Sequence, residues 1–542
     1  MRDTHFIRLI FEGGKMRLKA FLSIFLLLTT LVAGCAQNTA SRGGELVRLW
    51  AEPSTLDPHL TSDVDSSVIV VEVFGGLVTI DRNLKTVPDL AESWRISPDG
   101  KTYTFSIRKD AKFHSGKTVT ARDVKWSLER AADPKTQSTT VDTYLGDIIG
   151  VKEKLRGQSQ EITGVKVIDD YTIEITIDAP KAYFLSKLTY PTGFVLDRDN
   201  VESRKDWFDK PNGTGPFKLT EYVPGDHLIL ARNPDYYLGP ARLDSVKFLL
   251  AGGTPMVMYE NNEIDLTGVG LADLERVRDP KSPLSKELRT APSSFETSYI
   301  GLNVTRPPLD DIKVRQALNY AINKEDIASK VLANQVQPAY GILPPGFPAF
   351  NPDLQGLRYD LAKAKSLMAQ STYGPDPAKW PRLTLTVPGS LGTAIGLDLE
   401  AIIAAWRDNL GINVEVQQVE WATFLNDLHS YRLQMYAGMG WVADYPDPQN
   451  FLDLQFHSQS VNNQTKYTNP EVDRWLEAAR TESDEKKRFG LYQQAEQTIV
   501  NEASWIPLWY PGEGYILIKP KVKDYLLLPL IVPKYRFIYL EK

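Results

Sequence analysis

Residue types that could perform catalysis are plentiful in this chain, but they do not fall at the spacings catalysis uses. The 542 residues contain no H-E-x-x-H, C-x-x-C, G-x-S-x-G or G-x-x-x-x-G-K-S/T. Ser115-Gly116-Lys117-Thr118 copies the end of a phosphate loop, yet Ala111 stands where that loop needs its first glycine. A turn ahead of a helix is the plainer reading. The six histidines (His5, His59, His114, His227, His429 and His457) never adopt metal-ligand spacing, and the seven methionines are dispersed. Carboxylates abound, but no pair is singled out as a glycosidase acid and base. The expectation is a chain that is not an enzyme and that holds no metal and no cofactor.

The single cysteine is more telling. Arg17 and Lys19 precede an apolar run from Ala20 to Val32, and Ala33-Gly34-Cys35 follows. A basic start, a short apolar run and small residues make a secretory signal. The run is shorter than the roughly 20 residues that span a bilayer. Leu31-Val32-Ala33-Gly34-Cys35 also resembles a bacterial lipobox, whose cysteine is acylated and becomes the new N-terminus. No other cysteine exists, so the mature domain forms no disulfide. Met16 makes a better signal start than Met1. Residues 1–34 are read as signal and 35–44 as tether. Removal of residues 1–34 takes away five basic residues and two acidic ones, shifting the formal charge from −6 to −9. Such an acidic domain is a poor partner for nucleic acid. Its contact with membrane would come through the lipid alone.

A chain this long exceeds a single core, which stops growing at roughly 250–300 residues. Two large lobes, or two plus a smaller one, are expected. Residues 45–50 read as a strand. Trp94 to Ile107 reads as a hairpin closed at Asp99-Gly100, and residues 165–177 as a second, turned at Asp169-Asp170. Ala121–Ala131 has helical spacing with Thr120 as N-cap. Residues 214–231 and 242–250 look like strands. Further on, strand Leu383–Val387, helix Ala394–Leu410, stop Gly411 and strand Ile412–Val419 form a βαβ unit. Helix Ala422–His429 and strand Leu433–Met439 continue the alternation. An α/β lobe with a crevice at its strand ends follows.

Four stretches carry a family resemblance. The first is Ser54-Thr55-Leu56-Asp57-Pro58-His59. The second runs from Pro88-Asp89-Leu90-Ala91-Glu92-Ser93-Trp94 through Pro98-Asp99-Gly100-Lys101 and Phe113-His114-Ser115-Gly116-Lys117 to Asp123-Val124. The third joins Gly213-Thr214-Gly215-Pro216-Phe217 to Arg232-Asn233-Pro234-Asp235-Tyr236-Tyr237. The fourth is Asp311 to Leu318. Together they resemble the family 5 solute-binding proteins, the peptide-binding subunits of ABC importers.

That resemblance implies a periplasmic-binding-protein-like α/β fold with two lobes closing on a two-strand hinge plus a smaller mixed domain. Domain I would comprise 41–74, 198–295 and 513–542, domain II 75–197 and domain III 296–512. It implies an oligopeptide as ligand, a permease as partner, a monomer, and a place on the outer face of the cell envelope. The alternative is another imported solute such as a sugar or metal chelate. Gly440-Trp441-Val442-Ala443-Asp444-Tyr445-Pro446-Asp447-Pro448 is similar to the oligopeptide-binding members, where the Asp receives the peptide's N-terminal ammonium. Asp444 inherits that role. The backbone of Gly440, Trp441 and Val442, with the stretch around Ser62 and Val64, would pair with the ligand as an added strand. Trp421 would line a side-chain pocket, and Tyr510 would stand near the return to the first lobe. The chain departs from the pattern at the other end of the ligand. Where those members hold basic residues for the peptide carboxylate, it has Tyr436-Ala437-Gly438-Met439 and a neutral segment near Ile395.

Overall fold

The computed structural model describes residues 43–389 and 394–541. The signal, the tether's first residues and Cys35 lie outside them. Three sheets organise the described chain. The first has seven strands in the order Leu288–Ala291, Gly514–Ile518, Leu266–Gly268, Glu45–Leu49, Ser245–Leu249, His227–Arg232 and Phe217–Val223. Alternation decides which face is buried: Leu228 and Leu230 point inward with Val246, Phe248 and Leu46. Helix Val64–Val73 packs into the same core. Asp63 caps it by accepting from Ser66 N at 2.9 Å.

The second sheet has four antiparallel strands, ordered Ala91–Ile96, Thr102–Ile107, Thr172–Thr176 and Val165–Asp169. Tyr103, Phe105 and Ile107 face its core, against Val124, Leu128 and Ala131 of helix Ala121–Ala131. Both hairpins read from the sequence are present. Gly100 takes φ 71°, which a side chain would resist.

The third sheet runs Val336–Pro338, Trp505–Pro511, Glu296–Leu302, Met435–Tyr436, Leu383–Pro388 and Val414–Val419, and Gly440–Val442 pairs with Glu296–Ser298 at one margin. Leu383–Pro388 and Val414–Val419 are parallel neighbours joined by helix Leu397–Leu410, and Gly411 (φ 71°) ends that helix. The expected βαβ unit is therefore present.

Boundaries shift where backbone geometry intervenes. The stretch 214–231 is a hairpin turned at Gly225, not one strand. The expected strand Leu433–Met439 shrinks to two residues. Gly438 at φ 80° breaks it, and the chain re-enters the sheet one register away at Gly440. Ser115-Gly116-Lys117-Thr118 is a turn: Phe113 N donates to Lys117 O, and Lys117 Nζ reaches Asp197 and Asp199.

The chain passes from the first sheet to the third at 292–295 and returns at 512–513. The strands flanking these passages pair with one another on both sides, Arg289 opposite Ile516 and Ser298 opposite Trp509. Two adjacent strands thus connect two large lobes.

The four stretches behind the family resemblance are structural. Arg130 Nη1 and Nη2 grip the buried carboxylate of Asp57 at 3.0 and 2.6 Å, and His59 ties both to Phe194 O. Asp89 accepts from Tyr237 Oη at 2.7 Å. A Cβ on Gly213 or Gly215 would strike the carbonyls of Val73 or Glu72. Arg315 donates Nε and Nη2 to Glu502 O at the end of helix Glu485–Glu502.

Candidate functional site

Between the first and third sheets lies a cavity of about 350 Å³. From the first lobe come Ser62 to Asp65 and Ser67, at the start of helix Val64–Val73. From the third sheet's lobe come Trp421, Leu425, Glu296 and the run Gly438–Val442 with Asp444, while Tyr190 and Ile531 complete the wall. Seven of the eight ligand-binding residues read from the sequence (Ser62, Val64, Trp421, Gly440, Trp441, Val442 and Asp444) line this one space. Tyr510 does not. It pairs with Gln337 and its hydroxyl accepts from Gly341 N at 3.1 Å, so it is part of the lobe's own core.

The short strand Gly440–Val442 uses one edge to pair with Glu296–Ser298. Two residues on, Asp444 is held by a compact network. Asn450 Nδ2 donates to Asp444 Oδ2 at 3.0 Å, and Tyr144 Oη donates to the same oxygen. Asn450 Oδ1 accepts from Asp444 N at 3.0 Å and from Trp441 Nε1 at 3.2 Å. Tyr144 stacks face to face on Tyr190 with ring centres 3.6 Å apart, so the clasp on Asp444 reaches into the smaller sheet's part of the chain. No cation neutralises the carboxylate among the described residues. Burial pushes Asp444 up to about 6, and the two side-chain hydrogen bonds only partly offset that rise. A carboxylate kept half-buried, oriented and without a counter-ion is a site for a cation.

Trp421 stacks on Phe424, and its Nε1 is buried without a partner. An acceptor on a ligand would satisfy it. A second space of about 430 Å³ adjoins the first, sharing Glu296, Gly438, Met439 and Gly440. It is bounded further by Tyr299, Pro388, Ile395 and Asp398. Among the described residues lining the two spaces there is no Lys, Arg or His. Sequence reasoning missed Glu296, Tyr144, Tyr190 and Asn450. Each is remote in sequence from Asp444 or belongs to an unremarkable run, and only the fold brings them together. Among the described residues no cluster of His, Cys, Asp or Glu could hold a metal ion.

The chain is 32% identical to the periplasmic oligopeptide-binding protein OppA of Escherichia coli over 493 residues, covering 88% of each chain. Among solved structures it is similar to Haemophilus influenzae OppA in complex with RPPGFSPFR (27% identity, TM-score 0.82, 92% of this chain and 99% of that one). It matches the murein tripeptide binding protein MppA of Escherichia coli equally well (29%, TM-score 0.82, 92% and 99%). The unliganded open form of MppA scores only 0.65, at 28% identity over 92% and 97%. The lobes described here are therefore disposed unlike that open form. The sequence pattern of the bacterial extracellular solute-binding proteins, family 5, matches residues 85–463, and the chain belongs to that family.

Proposed function

We propose that this chain binds oligopeptides between its two lobes and delivers them to the permease of an ABC importer. The observation that carries the reading is Asp444, a carboxylate held rigidly at the cavity wall with no cation of its own. The N-terminal ammonium of a peptide supplies the missing charge. The exposed edge of Gly440–Val442, with Ser62 and Val64 opposite, offers backbone pairing that is indifferent to side chains. Similarity to OppA of Haemophilus influenzae, whose structure holds RPPGFSPFR, supports the same choice. In this reading the three sheets mark domain I (41–74, 198–295, 513–542), domain II (75–197) and domain III (296–512). The two passages at 292–295 and 512–513 form the hinge. Cys35 carries the lipid that holds a monomer at the outer face of the cell envelope, and the chain has no catalytic role.

Titration calorimetry on protein stripped of ligand tests the ammonium site. Acetylating a peptide's N-terminus, or replacing Asp444 by Asn, should each weaken binding by about 2–5 kcal/mol. Together they should cost little more than either alone, because both break one pair. Equal affinity for free and acetylated peptide removes Asp444 from this role.

A further inference from the structure

The wall that separates the two spaces carries a second carboxylate with no counter-ion. Glu296 opens strand Glu296–Leu302 opposite Val442, and its Oε1 lies where a Cβ on Gly440 would be. Its one hydrogen bond comes from Ser294 Oγ at 3.3 Å, and burial raises its affinity for a proton. No ion pair reaches it among the described residues.

Two other acids around the two spaces are hydrogen-bonded within the fold. Asp63 caps its helix, accepting from Ser66 N and Oγ and from Ser54 Oγ. Asp398 accepts from Trp509 Nε1 at 2.8 Å. Asp65, at the first lobe's side of the cavity, has its proton affinity raised by burial and by Asp63, and Arg48 offsets only part of that. Residues 390–393, which adjoin the second space in sequence, carry no charge. Asp444 and Glu296 thus face the cleft as two separate anions without an ion pair, and none of the described residues lining the two spaces is a Lys, Arg or His.

We infer that Glu296 is a specificity-determining residue that receives a cationic side chain of the bound peptide, so that the site selects ligands bearing a second positive charge beyond the N-terminus. The inference rests on the peptide reading above. The distance along the binding edge sets which residue is meant. Glu296 stands opposite Val442, two residues of chain or about 7 Å from Asp444. A ligand whose ammonium sits at Asp444 therefore brings its second or third residue level with Glu296. A lysine or arginine there exchanges water for a half-buried carboxylate that otherwise stays unpaired. A neutral side chain leaves that carboxylate as it is.

The test uses tetrapeptides of alanine with a single lysine or a single methionine at position two or three, titrated into ligand-free wild-type protein and E296Q. The quantity read is the ratio of lysine to methionine affinity at each position. In the wild type this ratio should reach at least about tenfold at one of the two positions, and in E296Q it should fall to nearly one. Equal affinities in the wild type overturn the inference while leaving peptide binding intact. A ratio that survives in E296Q overturns the assignment to Glu296. If no tetrapeptide binds at all, including tetra-alanine, the peptide reading fails and this inference falls with it.

Discussion

Asp444 shows how one side chain can set the working pH of a binding site. Burial lifts its carboxyl to about 6 in the ligand-free protein, and an ammonium beside it would lower that value again. A group whose proton must leave before the ligand binds weakens binding as pH falls. Peptide affinity should therefore hold a plateau above about pH 6 and decline by up to about tenfold per unit below it. It should decline again above about pH 8, where a peptide's amino group loses its proton. The sign is opposite for the ligand-free protein. Its folded-state carboxyl binds a proton more readily than the unfolded one, so the charged form costs stability that is absent below about pH 4 and fully present above about pH 6. Asp444→Asn should thus raise the melting temperature of stripped protein at pH 7.5 and leave it unchanged at pH 4. Cys35 offers a simpler test. If it carries the lipid, Cys35→Ser should leave an unprocessed precursor or release the protein from membranes, as mass spectrometry of fractionated cells would show.

At the scale of elements, what the sequence disclosed and what it withheld follow from physics. Trp94–Ile107 and Leu383–Val419 were legible because alternation, an Asp-Gly turn and a helix-stopping glycine are local signals. The strand break at Gly438 was not, because only pairing with Glu296–Ser298, far away in sequence, makes the chain leave one register and enter another. The site divides in the same way. The Gly-Trp-Val-Ala-Asp run was recognised by its resemblance, whereas Glu296 and Tyr144 reach the cavity through tertiary packing that no short pattern encodes. The four stretches behind the family resemblance proved to be structural hubs that join distant elements. Arg130 is one of these. With Asp57 only 2% exposed, Arg130→Met would leave a buried carboxylate unpaired. The expected cost is about 3–5 kcal/mol of folding stability, readable by denaturant titration, with the peptide cavity itself untouched.

At the scale of the whole molecule, the two spaces carry charge of one sign. With no Lys, Arg or His among the described residues that line them, no side chain there is placed to hold a terminal carboxylate. Amidating a peptide's C-terminus should therefore change its affinity by less than about threefold, well under 1.4 kcal/mol. A loss of tenfold or more in calorimetry would show that some cation does reach that end. If the two strands joining the lobes act as the proposed hinge, ligand-free and ligand-bound protein differ in lobe separation. Small-angle scattering on stripped protein should show the radius of gyration fall when peptide is added.

The return of the chain at 512–513 also governs the order of assembly. Gly514–Ile518 sits between Leu266–Gly268 and Leu288–Ala291 in the first lobe's sheet, so neither neighbour has a partner on that side until this strand is in place. A lobe begun by Glu45–Leu49 can thus be completed only by residues synthesised more than 450 positions later. Pairings so distant in sequence form slowly. If residues 1–34 act as the secretory signal that the sequence suggests, that delay is useful. Until its last segment emerges the first lobe cannot lock, and the polypeptide stays threadable for as long as translocation needs an unfolded strand.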